Sequence, residues 1–569
     1  MKLRLHRAMI IMGLCSFLLL CSGSRTGTAE AQKAHLGFAK TSQDLDSYVQ
    51  SEMSRRKTRA VAVALVTPSG MVWAKGYGFT DSTMQRAVAS KTLFNLQSTS
   101  KTVTAIGILL AAEREGLDLD APYVRVVPEF RIHNRFNEDE FKRITFRQLL
   151  SHWAGLPHEA PCGNNFDDGA CKFEDHIRSI SDSWMIAPAG QRYSYSNVGY
   201  DLLAYALQRR SRKPFATYML DAVFRPLQMP RSTFDRSIAL RNGDLALGEQ
   251  NGKDVTIPVP MVGAGGMYSN VEDLSELLTM LLSSGRFRGK RFLSEQSLSA
   301  LESLPYPVDH QIGGYALGVN RRDVYGTTMY FHGGGGYGYS IELRWIPTYN
   351  IGVVALTTDG DGSLAQDVAD RACEGMIRES IGRLPEQAKP PLTDRPTITS
   401  PGASAAKFEG TYRAYSSLKT ISVRDGQIFF RSGDQETMLV PHEGNELVAD
   451  DIRLRLRLGP NGYPYQIDYL DRNDVDTLFP NELKEETQGP SRREWQQFVG
   501  SYRGFAYVDR FSTSIALKNG YLFSSRGGGL KLIEEFTPGL FFTVSGESVE
   551  FHGDKMLLGN RPFQKEQTP

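Results

Sequence analysis

A serine hydroxyl is a poor nucleophile until a neighbouring base takes its proton. A lysine one helical turn away can be that base if its surroundings lower its pKa. The pattern Ser-x-x-Lys occurs four times in the 569-residue chain, at Ser54, Ser98, Ser404 and Ser416. Context separates them. Ser54 falls at the charged end of a surface helix (SRRK), whereas Ser404 and Ser416 belong to a linker and the first of two β-rich repeats. Ser98 stands in FNLQSTSKTVTAIGILLAAEREG, where Ile106, Leu109, Leu110 and Glu113 follow helical spacing. That helix reads as buried and able to desolvate Lys101. The plainer reading makes Ser98 a helix cap and Lys101 a solvated side chain.

Two further elements bear on the choice. Tyr195-Ser196-Asn197 follows the turn-rich PAGQRYS. A phenol beside a lysine can relay protons, and an amide can hold a substrate amide. The same triplet type recurs at Tyr268-Ser269-Asn270, but there Asn270 precedes VEDLSELLTMLL and reads as a helix N-cap. His332-Gly333-Gly334-Gly335-Gly336 precedes a strand at 340–346. Glycines there would let a substrate approach a strand edge and let a backbone N–H face an oxyanion, or they simply make a flexible hairpin entrance. No Gly-x-Ser-x-Gly elbow and no His-Glu-x-x-His occur, which argues against an α/β-hydrolase and a zinc peptidase.

Taken together, these elements resemble the β-lactamase-related serine hydrolases, which include class C β-lactamases, D-alanyl-D-alanine carboxypeptidases, D-aminopeptidases and esterases. FRQLLSHWAGLP (146–157), GAGGMYSNVEDL (263–274) and HGGGGYGYS (332–340) resemble later blocks of that family, in the same order, over roughly residues 40–382. The resemblance implies a catalytic domain with an antiparallel sheet flanked by helices. It makes Ser98 the nucleophile, Lys101 its base partner and Tyr195 a proton relay. Asn197, His332 and Gly334 would bind substrate, and the backbone N–H groups of Ser98 and Gly335 would form the oxyanion hole. No metal or organic cofactor is needed. One departure matters: His332-Gly333-Gly334 stands where β-lactamases carry Lys-Thr-Gly. A histidine of ordinary pKa is mostly neutral at pH 7, so the fixed charge that meets a β-lactam carboxylate is missing. This form resembles the family's D-aminopeptidases and esterases, and the D-aminopeptidases share the layout of one catalytic and two β-barrel domains.

The surrounding elements fit that picture. Residues 41–57 read as a helix, Ala60–Val66 and Met71–Tyr77 as strands around a Pro-Ser-Gly turn, and Ser340–Ile346 and Ile351–Thr357 as two more. A long section of helices and loops runs from about 98 to 300, and a helix near 363–380 ends the unit. The sheet is thus assembled from both ends of a domain spanning 36–384. A proline-rich linker follows at 385–402. After it, Phe408-Glu409-Gly410-Thr411-Tyr412-Arg413 matches Phe498-Val499-Gly500-Ser501-Tyr502-Arg503, a period of 90 residues. Asp425-Gly426 and Asn519-Gly520 mark equivalent hairpins. Two small all-β repeats, barrels or sandwiches, are expected at 403–485 and 492–566.

Lys plus Arg (65) nearly balance Asp plus Glu (64), which argues against a dedicated nucleic-acid binder. The substrate is expected to be a small molecule or peptide. Lys2, Arg4 and Arg7, an apolar run from Ala8 to Leu20, and Ala29-Glu30-Ala31 make residues 1–31 a signal peptide. Its removal leaves 61 basic and 63 acidic residues, a net charge of −2. Leu20 is too large for the usual pattern before a lipid-bearing Cys21, so plain export is the leading reading. The mature protein is expected to be secreted or periplasmic, without stable membrane insertion. Cys162 and Cys171 bracket GNNFDDGA and suit a disulfide in such a compartment. Free thiols, or a zinc site with His158 and His176, are the other readings, although that spacing matches no common zinc motif. Cys373, in an Ala-rich helix, reads as packed.

The commitment is an exported serine hydrolase acting on a small amide or ester through a Ser98 acyl-enzyme, with D-amino-acid peptides among its candidate substrates. An esterase, or a β-lactamase or carboxypeptidase of the same family, is the nearer alternative. A non-catalytic penicillin-binding-like sensor or cell-surface binding protein is the more distant one.

Overall fold

The computed structural model describes residues 37–566 apart from 166–170, 257, 307–312, 360–362, 387–406, 481–492 and a few short stretches between 414 and 528. The expected signal peptide and most of the linker lie outside the described residues, as do Ser404, Ser416 and the Asn519-Gly520 turn.

The first domain is built on a seven-stranded antiparallel sheet. Its strands are β1 (Ala60–Thr67), β2 (Gly70–Gly78), β3 (Gly314–Tyr315), β4 (Asn320–Val324), β5 (Thr327–Gly336), β6 (Tyr339–Ile346) and β7 (Ile351–Thr357). Their order is β2-β1-β7-β6-β5-β4-β3, so the N-terminal hairpin joins the C-terminal strands through the β1–β7 pair, Val61 opposite Thr357. Successive strand residues point to opposite faces, and here both faces are covered. Val61, Val63 and Leu65 pack with Val368, Ala372 and Met376 of α5 (Ser363–Ile381) and with Leu45 and Val49 of α1 (Ala39–Arg56). Ala60, Ala62 and Ala64 face the larger core containing α2 (Ser100–Glu115), α3 (Asn197–Ser211) and α4 (Val271–Leu282). This explains why β1 reads as an unbroken apolar run: it has no wet side.

The region 314–336 supplies three strands that the sequence does not announce. His332–Gly336 is the end of a ten-residue strand, β5, paired with β6 from Tyr330–Trp345 to Gly336–Tyr339. A run of four glycines looks like a turn because glycine weakens strands, yet glycine also marks places where another backbone comes close.

The C-terminal repeats are two closed, eight-stranded antiparallel barrels, Gly410–Pro480 and Gly500–Lys565. The repeated Phe-x-Gly-x-Tyr-Arg has a common structural use. The buried Tyr412 hydroxyl donates to the Phe408 carbonyl at 2.7 Å, and the buried Tyr502 hydroxyl donates to the Phe498 carbonyl at 2.8 Å. Each tyrosine fills its barrel and satisfies its hydroxyl on the incoming chain. No helix among the described residues is long and apolar enough to cross a membrane.

Candidate active site

Ser98 lies in a single 3-10 turn, Gln97–Thr99, that runs straight into α2. Gln97 has φ +49°, uncommon for a residue with a side chain. Asn95 holds it there: its Oδ1 accepts from the Gln97 backbone N–H at 3.1 Å and from the Gln97 side-chain amide at 2.5 Å. Strain of this kind persists only where neighbours over-determine it. The kink leaves Ser98 half-buried while Thr99, Ser100 and Lys101 are fully buried.

Lys101 is three residues on, on the same face as Ser98. Its Nζ lies 3.0 Å from Ser98 Oγ, 2.8 Å from Asn197 Oδ1 and 2.9 Å from the Ala264 carbonyl oxygen. Burial pushes its pKa down to about 7, against the opposing pull of the Asp201 and Glu159 carboxylates. A neutral amine has two N–H groups and one lone pair. The Asn197 and Ala264 oxygens take the two N–H groups, which aims the lone pair at the Ser98 hydroxyl.

The two acceptors are themselves fixed by α3. Asn197 opens the helix behind the Ser196 N-cap, whose hydroxyl accepts from the Gly199 N–H at 3.1 Å. Asp201, one turn on, accepts from the Gly263 and Ala264 N–H groups at 2.8 and 3.2 Å, and so places the Ala264 carbonyl. Asn197 Nδ2 donates to Glu159 Oε1 at 3.0 Å, as does Asn165 Nδ2 at 2.8 Å. Glu159 is wholly buried. Although burial alone would raise its carboxyl, His158 and these amides hold it below its ordinary value.

Tyr195 stands beside this group, its ring centroid 4.8 Å from Lys101 Nζ. A cavity of about 80 Å³ is lined by Ser98, Tyr195, Asn197 and Gly335, with Gln97, His158, Asn165, Met261, Ala264 and Gly265. Ser98, Tyr195, Asn197 and Gly335 therefore meet as expected, with Lys101 directly beneath. His332 and Gly334 do not line the cavity. The His332 ring is buried behind it, with Nδ1 2.7 Å from the Gly333 carbonyl and Nε2 2.9 Å from the Tyr315 hydroxyl. The ring thus donates through Nδ1 and accepts at Nε2. Burial, and then the nearness of Lys101, push its pKa down to about 3, so it carries no charge near pH 7. Gly334 faces inward against the Ser98 turn.

Cys162 and Cys171 form a disulfide, Cα–Cα 6.0 Å. The two flanking histidines go elsewhere: His158 Nδ1 meets Glu159 Oε1 at 2.8 Å, and His176 meets the Cys162 carbonyl and Asp201. Cys373 is buried, its thiol pushed up to about 12 by that burial. The second Tyr-Ser-Asn is structural, as expected: Asn270 caps α4 by accepting from the Asp273 N–H at 3.0 Å. Glu159, Asp201 and Tyr315 were not legible as site residues. In the sequence only His158 stands out, as a flank of the cysteines, nothing marks Glu159 beside it, and Asp201 is marked solely by its i, i+4 relation to Asn197.

A seven-stranded antiparallel sheet between helical layers, with Ser-x-x-Lys beside the glycine-rich strand, defines a β-lactamase-related serine hydrolase fold. The Beta-lactamase family profile matches residues 45–373, and the chain belongs to that family. It is 25% identical over 368 residues to "Beta-lactamase-like protein 4" of Dictyostelium discoideum, a match covering 61% of this chain and 64% of the relative. The chain thus spans less than two thirds of the length of the curated relatives it matches. Its fold is similar to that of the octameric penicillin-binding protein homologue from Pyrococcus abyssi, with TM-score 0.51, 22% identity, and coverage of 77% of this chain and 99% of that one. It is also similar to the D-amino acid amidase from Ochrobactrum anthropi SV3, with TM-score 0.51, 17% identity, and coverage of 60% and 99%.

Proposed function

We propose that the protein is an exported serine hydrolase that cleaves a small amide or ester through an acyl-enzyme on Ser98, with D-amino-acid amides and peptides the first class to try. The observation that carries this reading is the Lys101 amine, 3.0 Å from Ser98 Oγ with both remaining directions occupied by acceptors. Ser98 Oγ attacks the substrate carbonyl carbon and its proton passes to Lys101 Nζ. The oxyanion is met by the backbone N–H groups of Ser98 and Gly335. Collapse of the intermediate breaks the bond to the amine or alcohol, which leaves with a proton relayed through Tyr195. Water then attacks the acyl carbon, its proton returning along the same path, and the acid departs from Ser98.

The neutral His332 supports amides and esters over β-lactams, because no fixed positive charge awaits a carboxylate at that position. Likeness in fold to a D-amino acid amidase points the same way. Export is supported by the Cys162–Cys171 disulfide, a bond that persists in oxidising compartments. Intact-mass spectrometry after treatment with a fluorophosphonate tests the reading. One adduct on the wild type and none on Ser98→Ala is expected, and an unlabelled wild type overturns it.

A further inference from the structure

The second barrel reaches the loop that carries Glu159. Asn560, in the left-handed conformation (φ +66°) between the last two strands of that barrel, is buried against the catalytic domain. Its Nδ2 donates to the Glu159 backbone carbonyl at 2.8 Å and to Ser183 Oγ at 3.0 Å. Its own carbonyl accepts from Asn164 Nδ2 at 3.5 Å. The neighbouring turn of the barrel is seated as firmly: the Ser545 carbonyl accepts from Arg192, and a Cβ on Gly546 would lie 2.1 Å from the Ile186 carbonyl oxygen. Phe542 packs edge-on to Trp184 and lies beneath Arg135. Asn560 thus ties the 158–165 loop at Glu159 and Asn164, while the other contacts seat the barrel on the neighbouring 183–192 segment and on Arg135.

What that loop holds gives the contact its meaning. The Glu159 side chain accepts from Asn197, and Asn197 accepts from Lys101, which meets Ser98. Asn560 thus holds the Glu159 backbone, and hydrogen bonds from the Glu159 carboxylate run through Asn197 and Lys101 to the candidate nucleophile. Glu159 Oε2 has no hydrogen-bond partner among the described residues and is buried. A buried carboxylate with an unmatched oxygen is destabilising unless its charge is used. Here the charge acts on Lys101, whose pKa the Glu159 carboxylate raises against the effect of burial, and which becomes a cation on taking the Ser98 proton.

We propose that Asn560 and Glu159 are positioning residues of the hydrolase, the first anchoring the Glu159 loop from the second barrel and the second holding Asn197 in line with Lys101 and balancing the charge Lys101 acquires. The second barrel is on this view a required part of the catalytic apparatus. The inference rests on the proposed Ser98 chemistry.

The groups facing Lys101 are Asp201 and Glu159 as carboxylates, the Tyr195 and Tyr200 rings, and the His152 and His332 imidazoles. Burial, followed by repulsion from Lys101, holds both imidazoles neutral. Glu159 itself faces His158, Asn165, Asn197 and Lys101. Replacing Glu159 by Gln keeps the acceptor for Asn197 but removes the charge, so Lys101 should lose its proton at lower pH.

The experiment uses the full chain and the fluorophosphonate labelling rate as a function of pH, with thermal melts to show that each variant is folded. Asn560→Ala should label about tenfold more slowly, since small displacements of a reacting group are amplified in rate. Glu159→Gln should move the acid limb of the labelling profile to lower pH. A folded Asn560→Ala that labels at the wild-type rate, or a Glu159→Gln limb that stays in place, overturns the proposal. Because Glu159→Gln lies in the catalytic domain, it remains decisive if Asn560→Ala fails to fold. Absence of Ser98-dependent labelling in the wild type is a different outcome: it removes the underlying hydrolase reading.

Discussion

Gly334 passes so close to Leu96 that a Cβ on it would lie 2.2 Å from the Leu96 carbonyl oxygen and 3.1 Å from both the Gln97 Cβ and Thr99 Oγ1. Strand β5 is therefore pressed directly against the turn that presents Ser98. The Thr99 hydroxyl completes the contact by donating to the His332 carbonyl at 3.2 Å. The glycine run positions the serine from behind, and only Gly335 of this run reaches the cavity wall.

Gly334→Ala should thus lower the fluorophosphonate labelling rate at least about a hundredfold, because the clash is with backbone and must shift the Ser98 turn. Gly335→Ala is the control for folding alone, read by a thermal melt, because Gly335 lines the cavity and its N–H is assigned to the oxyanion. A Cβ there meets nothing within 4 Å, so the fold and the Ser98 turn should be kept. Comparable rates for Gly334→Ala and wild type would show that β5 does not set the position of Ser98.

The hydrolase should show an acid limb in kcat/KM near pH 7. Lys101 must be neutral to accept the Ser98 proton, burial lowers its pKa to about 7, and activity should rise as pH passes upward through that value. His332 and His152 are held neutral well below that range and do not produce the limb. His158 lines the cavity, so His158→Gln is the informative variant: the limb should persist in it. Lys101→Ala should lose at least about a hundredfold at every pH.

The part of the site carried by local spacing was legible. Ser98 and Lys101 share a helix face, and Asn197 stands at a helix start, so their types and neighbours suffice to distinguish them from Ser54 and from Asn270. The β5 glycines were harder. Their role depends on the Leu96 backbone, which is more than two hundred residues away, and glycine alone reads equally as a turn. Asn560 and Glu159 are 401 residues apart, and nothing in either segment announces the other. The repeats were visible as β structure through Tyr412 and Tyr502, but barrel closure rests on pairing the first strand with the last, which is a property of the assembled sheet.

The Cys162–Cys171 bridge should stabilise the fold by about 3 kcal/mol, as expected for closing a loop with a sequence separation of 9. The segment also carries Asn164 and Asn165, which contact Asn560 and Glu159. Cys162→Ser with Cys171→Ser should therefore lower Tm and slow Ser98 labelling together, read by thermal melts and by the labelling rate. A lower Tm with an unchanged rate would confine the bridge to stability.

Away from the site, Glu302 gives the chain a pH-dependent weakness. It accepts from the Trp345 indole N–H at 3.1 Å, and burial raises its pKa to about 7 despite that bond and the nearby Arg321. The folded state therefore holds the proton more tightly than the unfolded chain, whose carboxyl titrates near 4.5. Its contribution is most favourable below that value, declines as pH rises from there to about 7, and is constant above. Glu302→Gln keeps an oxygen for the indole and removes the buried charge. The variant should gain about 3 kcal/mol at pH 8 and little at pH 4. Urea melts at the two pH values measure the difference, and equal stability changes at both would mean that Glu302 ionises in the fold as it does in water.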